Sequence, residues 1–152
     1  MNLRIASYEE YQEKYQHSVN DPEEFWSDIA QTFLWKEPWT NTLNWNFTEP
    51  KITWFDGGKL NITENLLDRH LETRGDQVAF FWEPNEMDAD GKTITYRELH
   101  AEVCKLSNAM RGLGVEKGDR VCIYMPMILE SIVAILACAR IGAVHSIVFA
   151  GF

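Results

Sequence analysis

The stretch 120–149 constrains the fold more than any other part of this chain. RVCIY at 120–124 alternates apolar and polar residues as a half-buried strand does, and Pro126 then breaks the pattern. An apolar run at 129–140 has the length of a buried helix, Gly142 supplies its stop, and 144–149 reads as a second strand. Two strands separated by a helix run parallel, because a hairpin needs only a short turn whereas a parallel pair needs a crossover. The spacing therefore predicts a βαβ unit and an α/β class.

The preceding segment carries similar punctuation. Asn61 is placed to cap a helix bearing Leu66, Leu67 and Leu71, with Gly75 near its C′ position. Val78–Trp82 is β-prone, 84–91 is a polar loop, and 93–95 is strand-like, so the expected order continues as a βαβ-like series. Thr95 and Glu98 have capping-box spacing ahead of Leu99, Val103, Leu106, Met110 and Leu113 at helical steps, and Gly114 stops that helix. Residues 117–119 turn the chain into the strand at 120.

Residues 1–60 differ in character. Ser7 and Glu10 again have capping-box spacing, and Tyr8, Tyr11 and Tyr15 form a helical stripe. Asp21, Pro22 and Glu24 open a second helix with Phe25, Trp26, Ile29, Phe33 and Leu34 on one face. The run 35–46 holds Pro38, Trp35, Trp39 and Trp45 without a clear period and is expected to be irregular. So much aromatic surface exceeds what two short helices bury, which favours packing against a following domain over stacking on a ligand.

Composition narrows the function classes. A formal net charge of -9 repels nucleic-acid phosphates and anionic lipid surfaces, so neither nucleic acid nor membrane is an expected partner. The tract 121–139 is interrupted by Pro126, Glu130 and Ser131, unlike a membrane span, and the N-terminus lacks the apolar core of a signal peptide. Cys104, Cys122 and Cys138 match neither a CxxC pair nor a zinc site, which suits reduced thiols and a cytoplasmic location. No GxxxxGK[ST], GxGxxG, HExxH or GxSxG element is present. His17, His70, His100 and His145 are scattered in sequence. His145 alone falls in an expected buried strand, where a neutral ring needs a hydrogen-bond partner.

Ligand-like chemistry gathers at 149–152, at the carboxyl end of the last expected strand, where open α/β sheets bind ligands. Phe149 suits stacking on a purine, Ala150 and Gly151 allow close approach to backbone amides, and Phe152 would close the side. On residue types alone, an ordinary strand exit packed on the core is the competing and commoner outcome.

The strings YxxxYxxSVxDPEEFW (11–26), WFDGGKLNITENLLDRHLETRGD (54–76), ITYRELHAEV (94–103), KGDRVCIYMPM (117–127) and LACARIGAVHSIVFAGF (136–152) together resemble the start of the acetyl-CoA synthetases, over nearly the whole chain. Those ligases of the adenylate-forming superfamily convert a carboxylate and ATP to an acyl-adenylate, then pass the acyl group to coenzyme A. The resemblance implies an N-terminal extension at 1–60 that wraps the large domain, and the first βαβ layers of that incomplete domain at 61–152. It also implies that Phe149, Ala150 and Gly151 receive the nucleotide part of coenzyme A, although Ala150 stands where glycine is commoner. Leu129 departs from the usual MPMIPE. The family's ATP phosphate loop, acid pocket, ribose-binding aspartate and catalytic lysine, with the Mg2+ site, are expected beyond Phe152. No catalytic residue is therefore expected here, and the piece alone is expected to be inactive. Propionyl-CoA synthetases share the later strings and are the nearest rival. A non-catalytic binding or docking module is the further alternative.

Overall fold

A computed structural model describes residues 4–149. The chain forms two compact units, 1–60 and 61–152.

In the first unit, helix α1 (Tyr8–Asn20) starts at Ser7, whose hydroxyl accepts from the Glu10 N–H at 3.2 Å. The expected box is only half closed, because the Glu10 carboxylate takes the N–H of Ala6 instead. No residue of α1 is buried, and Tyr8, Tyr11 and Tyr15 stack along its outside with centroids 6.2 and 6.1 Å apart. Helix α2 (Pro22–Ala30) has Asp21 as its cap and Pro22 in the first turn. It ends before Phe33 and Leu34, because Thr32 and Phe33 donate to the carbonyls three residues back and wind the last turn tighter.

The irregular run expected at 35–46 is corrected in its second half. Strand β1 (Asn41–Asn46) pairs antiparallel with β2 (Lys51–Asp56), matching Leu43 to Trp54 and Trp45 to Ile52. The signal was present: Leu43, Trp45 and Phe47 alternate with Asn44 and Asn46. Asn46 closes the hairpin by accepting from the N–H groups of Thr48 and Glu49. Trp35, Trp39 and Phe55 cluster with centroids 4.8 to 5.6 Å apart, and the Trp35 indole donates to the Ala30 carbonyl at 2.8 Å. Of the described residues in this unit only Ala30 and Thr42 are buried.

The second unit opens with Asn61 capping α3 (Ile62–Leu66), its carbonyl oxygen accepting from Thr63 while its amide donates to the Arg140 carbonyl at 2.8 Å. The single helix expected through Leu71 is broken. Leu67 leaves helical geometry at φ -120° to enter the core at 2% exposure, a 3-10 turn covers Asp68–His70, and α4 (Leu71–Arg74) resumes. Gly75 stands at the helix end as expected, directly after Arg74, with a right-handed φ of -51°. Space requires glycine there: a β-carbon would run into the Arg97 guanidinium and the Leu71 carbonyl.

Strands β3 (Val78–Trp82) and β4 (Lys92–Thr95) pair with each other antiparallel, so the expected βαβ-like series begins with a hairpin. Helix α5 (Tyr96–Gly112) follows with a complete capping box of Thr95 and Glu98. Strand β5 (Arg120–Ile123), helix α6 (Leu129–Ile141) and strand β6 (Val144–Ile147) then form the expected parallel βαβ unit, with Arg120 opposite Val144 and Ile123 opposite Ile147. Gly142 ends α6 at φ +78°, a left-handed position open to glycine at little steric cost. Leu67, Ile94, Leu99, Val103 and Val133 form one core cluster, and Ile123, Cys138 and Ala143 a second. Among the described residues no helix is long and apolar enough to cross a membrane.

Candidate ligand-binding edge

Because β5 and β6 are parallel, their carboxyl ends lie side by side, and the Val148 N–H donating to the Ile123 carbonyl at 2.9 Å carries the pairing one step past both strands. Phe149 emerges here 73% exposed. A ring packed as part of the core would be covered, and this one is not. Ala150, Gly151 and Phe152 lie outside the described residues.

The loop 124–128 leaves β5 at the same edge. Tyr124 and Met127 are 68% and 84% exposed, while Met125 between them is half-buried against the second core cluster. A tie comes from the hairpin: the half-buried Trp82 donates its indole N–H to the Met127 carbonyl at 2.7 Å, and the Lys92 ammonium lies 5.5 Å from the centre of the same ring. Helix α6 then begins at Leu129, with Ile128 before it supplying no side-chain cap. Along β5 runs an apolar groove of about 1010 Å3 between α5 and α6, lined by Leu106, Met110, Val121, Tyr124, Val133 and Cys138.

The histidines do not assemble. His145 is half-buried on β6 opposite Val121, His70 meets Tyr96 edge-on, and His17 faces the Glu24 carboxylate at 3.4 Å. His100 joins several polar groups at once, in a cluster that motif reading missed. Arg140 grips Asp68 through two hydrogen bonds of 2.8 and 2.9 Å, while His100 Nε2 lies 3.3 Å from Asp68 Oδ1, 3.4 Å from Arg140 Nη2 and 3.6 Å from Cys104 Sγ. The helical spacing of His100 and Cys104 was the visible half of it.

Those groups do not form a nucleophilic relay. A relay uses one imidazole nitrogen toward the thiol and the other toward the carboxylate, whereas here every contact falls on Nε2. The Arg140 hydrogen bonds hold the Asp68 carboxyl below its usual range against an opposing cost of burial, and Asp68 in turn raises Arg140. With Asn61 and Thr63 also on Arg140, the cluster pins α3 and the 3-10 turn to the carboxyl end of α6. That end of α6 lies away from the sheet edge that carries Phe149, since the helix runs back between the strands. The Cys138 thiol, 1% exposed, is pushed up by burial. Among the described residues no group of three or more His, Cys, Asp or Glu could hold a metal ion.

Comparison with known proteins places the chain in a family. Residues 67–152 match the AMP-binding enzyme family, and residues 11–66 match the acetyl-coenzyme A synthetase N-terminus. The acetyl-coenzyme A synthetase of Halorhodospira halophila is 56% identical over 147 residues, 96% of this chain and 23% of that protein. Acetyl-coenzyme A synthetase 2 of Pseudomonas aeruginosa is 52% identical over 95% of this chain and 22% of its own length. The solved acetoacetyl-CoA synthetase from Streptomyces lividans superposes with a TM-score of 0.81 at 29% identity, covering 95% of this chain and 22% of that one. The chain thus spans less than a quarter of the length of these relatives. With the larger match covering residues 67–152, the chain belongs to the AMP-binding enzyme family, and the match to the acetyl-coenzyme A synthetase N-terminus precedes it.

Proposed function

We propose that this chain is the N-terminal part of an acetyl-CoA synthetase that activates acetate with ATP to acetyl-adenylate and transfers the acetyl group to coenzyme A. The observation that carries the reading is the match to acetyl-coenzyme A synthetases at 52 to 56% identity along 95 to 96% of the chain. The same relatives favour acetate over propionate.

In this reading residues 1–60 are the N-terminal extension and 61–152 the start of the adenylate-forming domain. Phe149 stacks on the adenine of coenzyme A, with the amides of Ala150 and Gly151 as its neighbours. The exposed ring at the ends of two parallel strands supports that assignment. ATP and Mg2+ are held by the remainder of the enzyme, which operates in the cytoplasm. Acyl-adenylate formation needs donors and a metal arranged around developing phosphate charge, and no such set is visible in the sequence. The 152 residues alone therefore catalyse no acetate-dependent ATP–pyrophosphate exchange. Joined to the remainder of the Halorhodospira halophila enzyme, they support both exchange and thioester formation. Exchange by the isolated chain above a blank, or an inactive joined protein that is folded, would overturn this reading.

A further inference from the structure

We propose that Trp82 is a positioning residue for coenzyme A binding, acting through the loop 124–128 rather than by touching the ligand. This rests on the placement of the coenzyme A nucleotide at Phe149. Residues 124–128 and Phe149 leave adjacent parallel strands at the same end, so the loop forms one wall of whatever docks there. Met125 anchors its first half against the Ile123, Cys138 and Ala143 cluster, whereas Met127 beyond Pro126 is 84% exposed, so its side chain does little to hold that part of the loop. Backbone hydrogen bonds within it are local, such as Ile128 N–H to Pro126 O at 2.9 Å.

Trp82 reaches the loop from 45 residues away, and its 2.7 Å bond fixes the Met127 carbonyl against the hairpin. The hairpin is itself anchored. Trp82 pairs with Lys92 across the ladder, and Ile94 of the partner strand sits in the core. The ammonium of Lys92 against the indole face further restricts the ring. A rigid wall lowers the ordering cost of binding, so the indole N–H contributes to affinity without contacting ligand.

The test uses a synthetase that begins with these 152 residues and compares it with its Trp82→Phe variant, which keeps a smaller aromatic ring beside Lys92 and removes the indole N–H donor. Loss of one such hydrogen bond is expected to raise the Kd and KM for coenzyme A about fivefold. The kcat for thioester formation and the rate of ATP–pyrophosphate exchange, which needs no coenzyme A, stay within about twofold. Unchanged Kd and KM for coenzyme A would overturn the proposal, as would a parallel fall in exchange, the mark of a general structural defect. Amide exchange gives a second readout, expected to quicken at 124–129 and not within α5. Unsubstituted protein that binds no coenzyme A would overturn the functional reading itself, and this proposal with it; unsubstituted protein that binds normally beside an equally tight variant sinks the positioning role alone.

Discussion

The two units of this chain are held together by different means. In the second, α5 and α6 enclose side chains that are nearly or wholly out of water, with Leu99 at 1% and Val103 at 0% exposure. Among its described residues the first unit has no comparable interior. Ring contacts run through it, from Trp26 against Trp54 to Trp35 against Trp39, beside the β1–β2 hairpin, while Trp45, Phe47 and Ile52 stay largely exposed. The contrast teaches that aromatic content is not core content. Rings stacked at a surface recover part of their contact energy, whereas aliphatic groups sealed between helices recover nearly all the water-exclusion term.

The sharpest way to break this comparison is Leu99→Ala. Emptying that site should cost about 3 kcal/mol, read as a lowered urea midpoint by circular dichroism. A loss below about 1 kcal/mol would mean that the second unit is not held by this core.

The Arg140 cluster comes next. Arg140→Gln should cost about 1–2 kcal/mol at neutral pH, between the values for exposed and buried ion pairs because both partners are partly covered. The sign of its pH dependence follows from Asp68, whose folded pKa is depressed. A depressed carboxyl stabilises the fold above its unfolded value, near 4, and loses that contribution as pH falls through the lower folded value. The gap between parent and variant should therefore be constant above about pH 5 and shrink below about pH 4 as Asp68 protonates. A gap that widens on acidification would contradict the assignment.

The smallest effect is expected at Trp45→Ala, within about 0.5 kcal/mol for this chain because the ring is largely solvated. A larger cost in a full-length synthetase, measured by thermal melting, would show that the remainder of such an enzyme covers the first unit's aromatic face. Equal small costs in both would leave that face without a structural role.

Much of the second unit was legible because its signals are local. The Thr95–Glu98 box, the left-handed Gly142 and the strand–helix–strand order each depend on residues within a turn or two, and all three stand as expected. The β1–β2 hairpin was harder to see because Pro38 and the tryptophans around it hide a short alternation at 43–47. Of the candidate site, exposed Phe149 was legible as the residue leaving the last strand, but the Trp82–Met127 bond was not, since nothing in either local sequence points to the other.

By itself, then, the sequence determined the class, the caps, the βαβ order and the family resemblance, because caps, periodicity and motif strings act over short spans. Tertiary structure decided where the helix at Leu67 breaks, why Gly75 must be glycine, that β3 pairs with β4, and that Asp68, His100 and Arg140 meet. The physical reason is common to these. Each depends on burial or contact between residues set by the path of the whole chain, and a local preference yields when the core offers more: Leu67 gives up helical geometry for a place out of water.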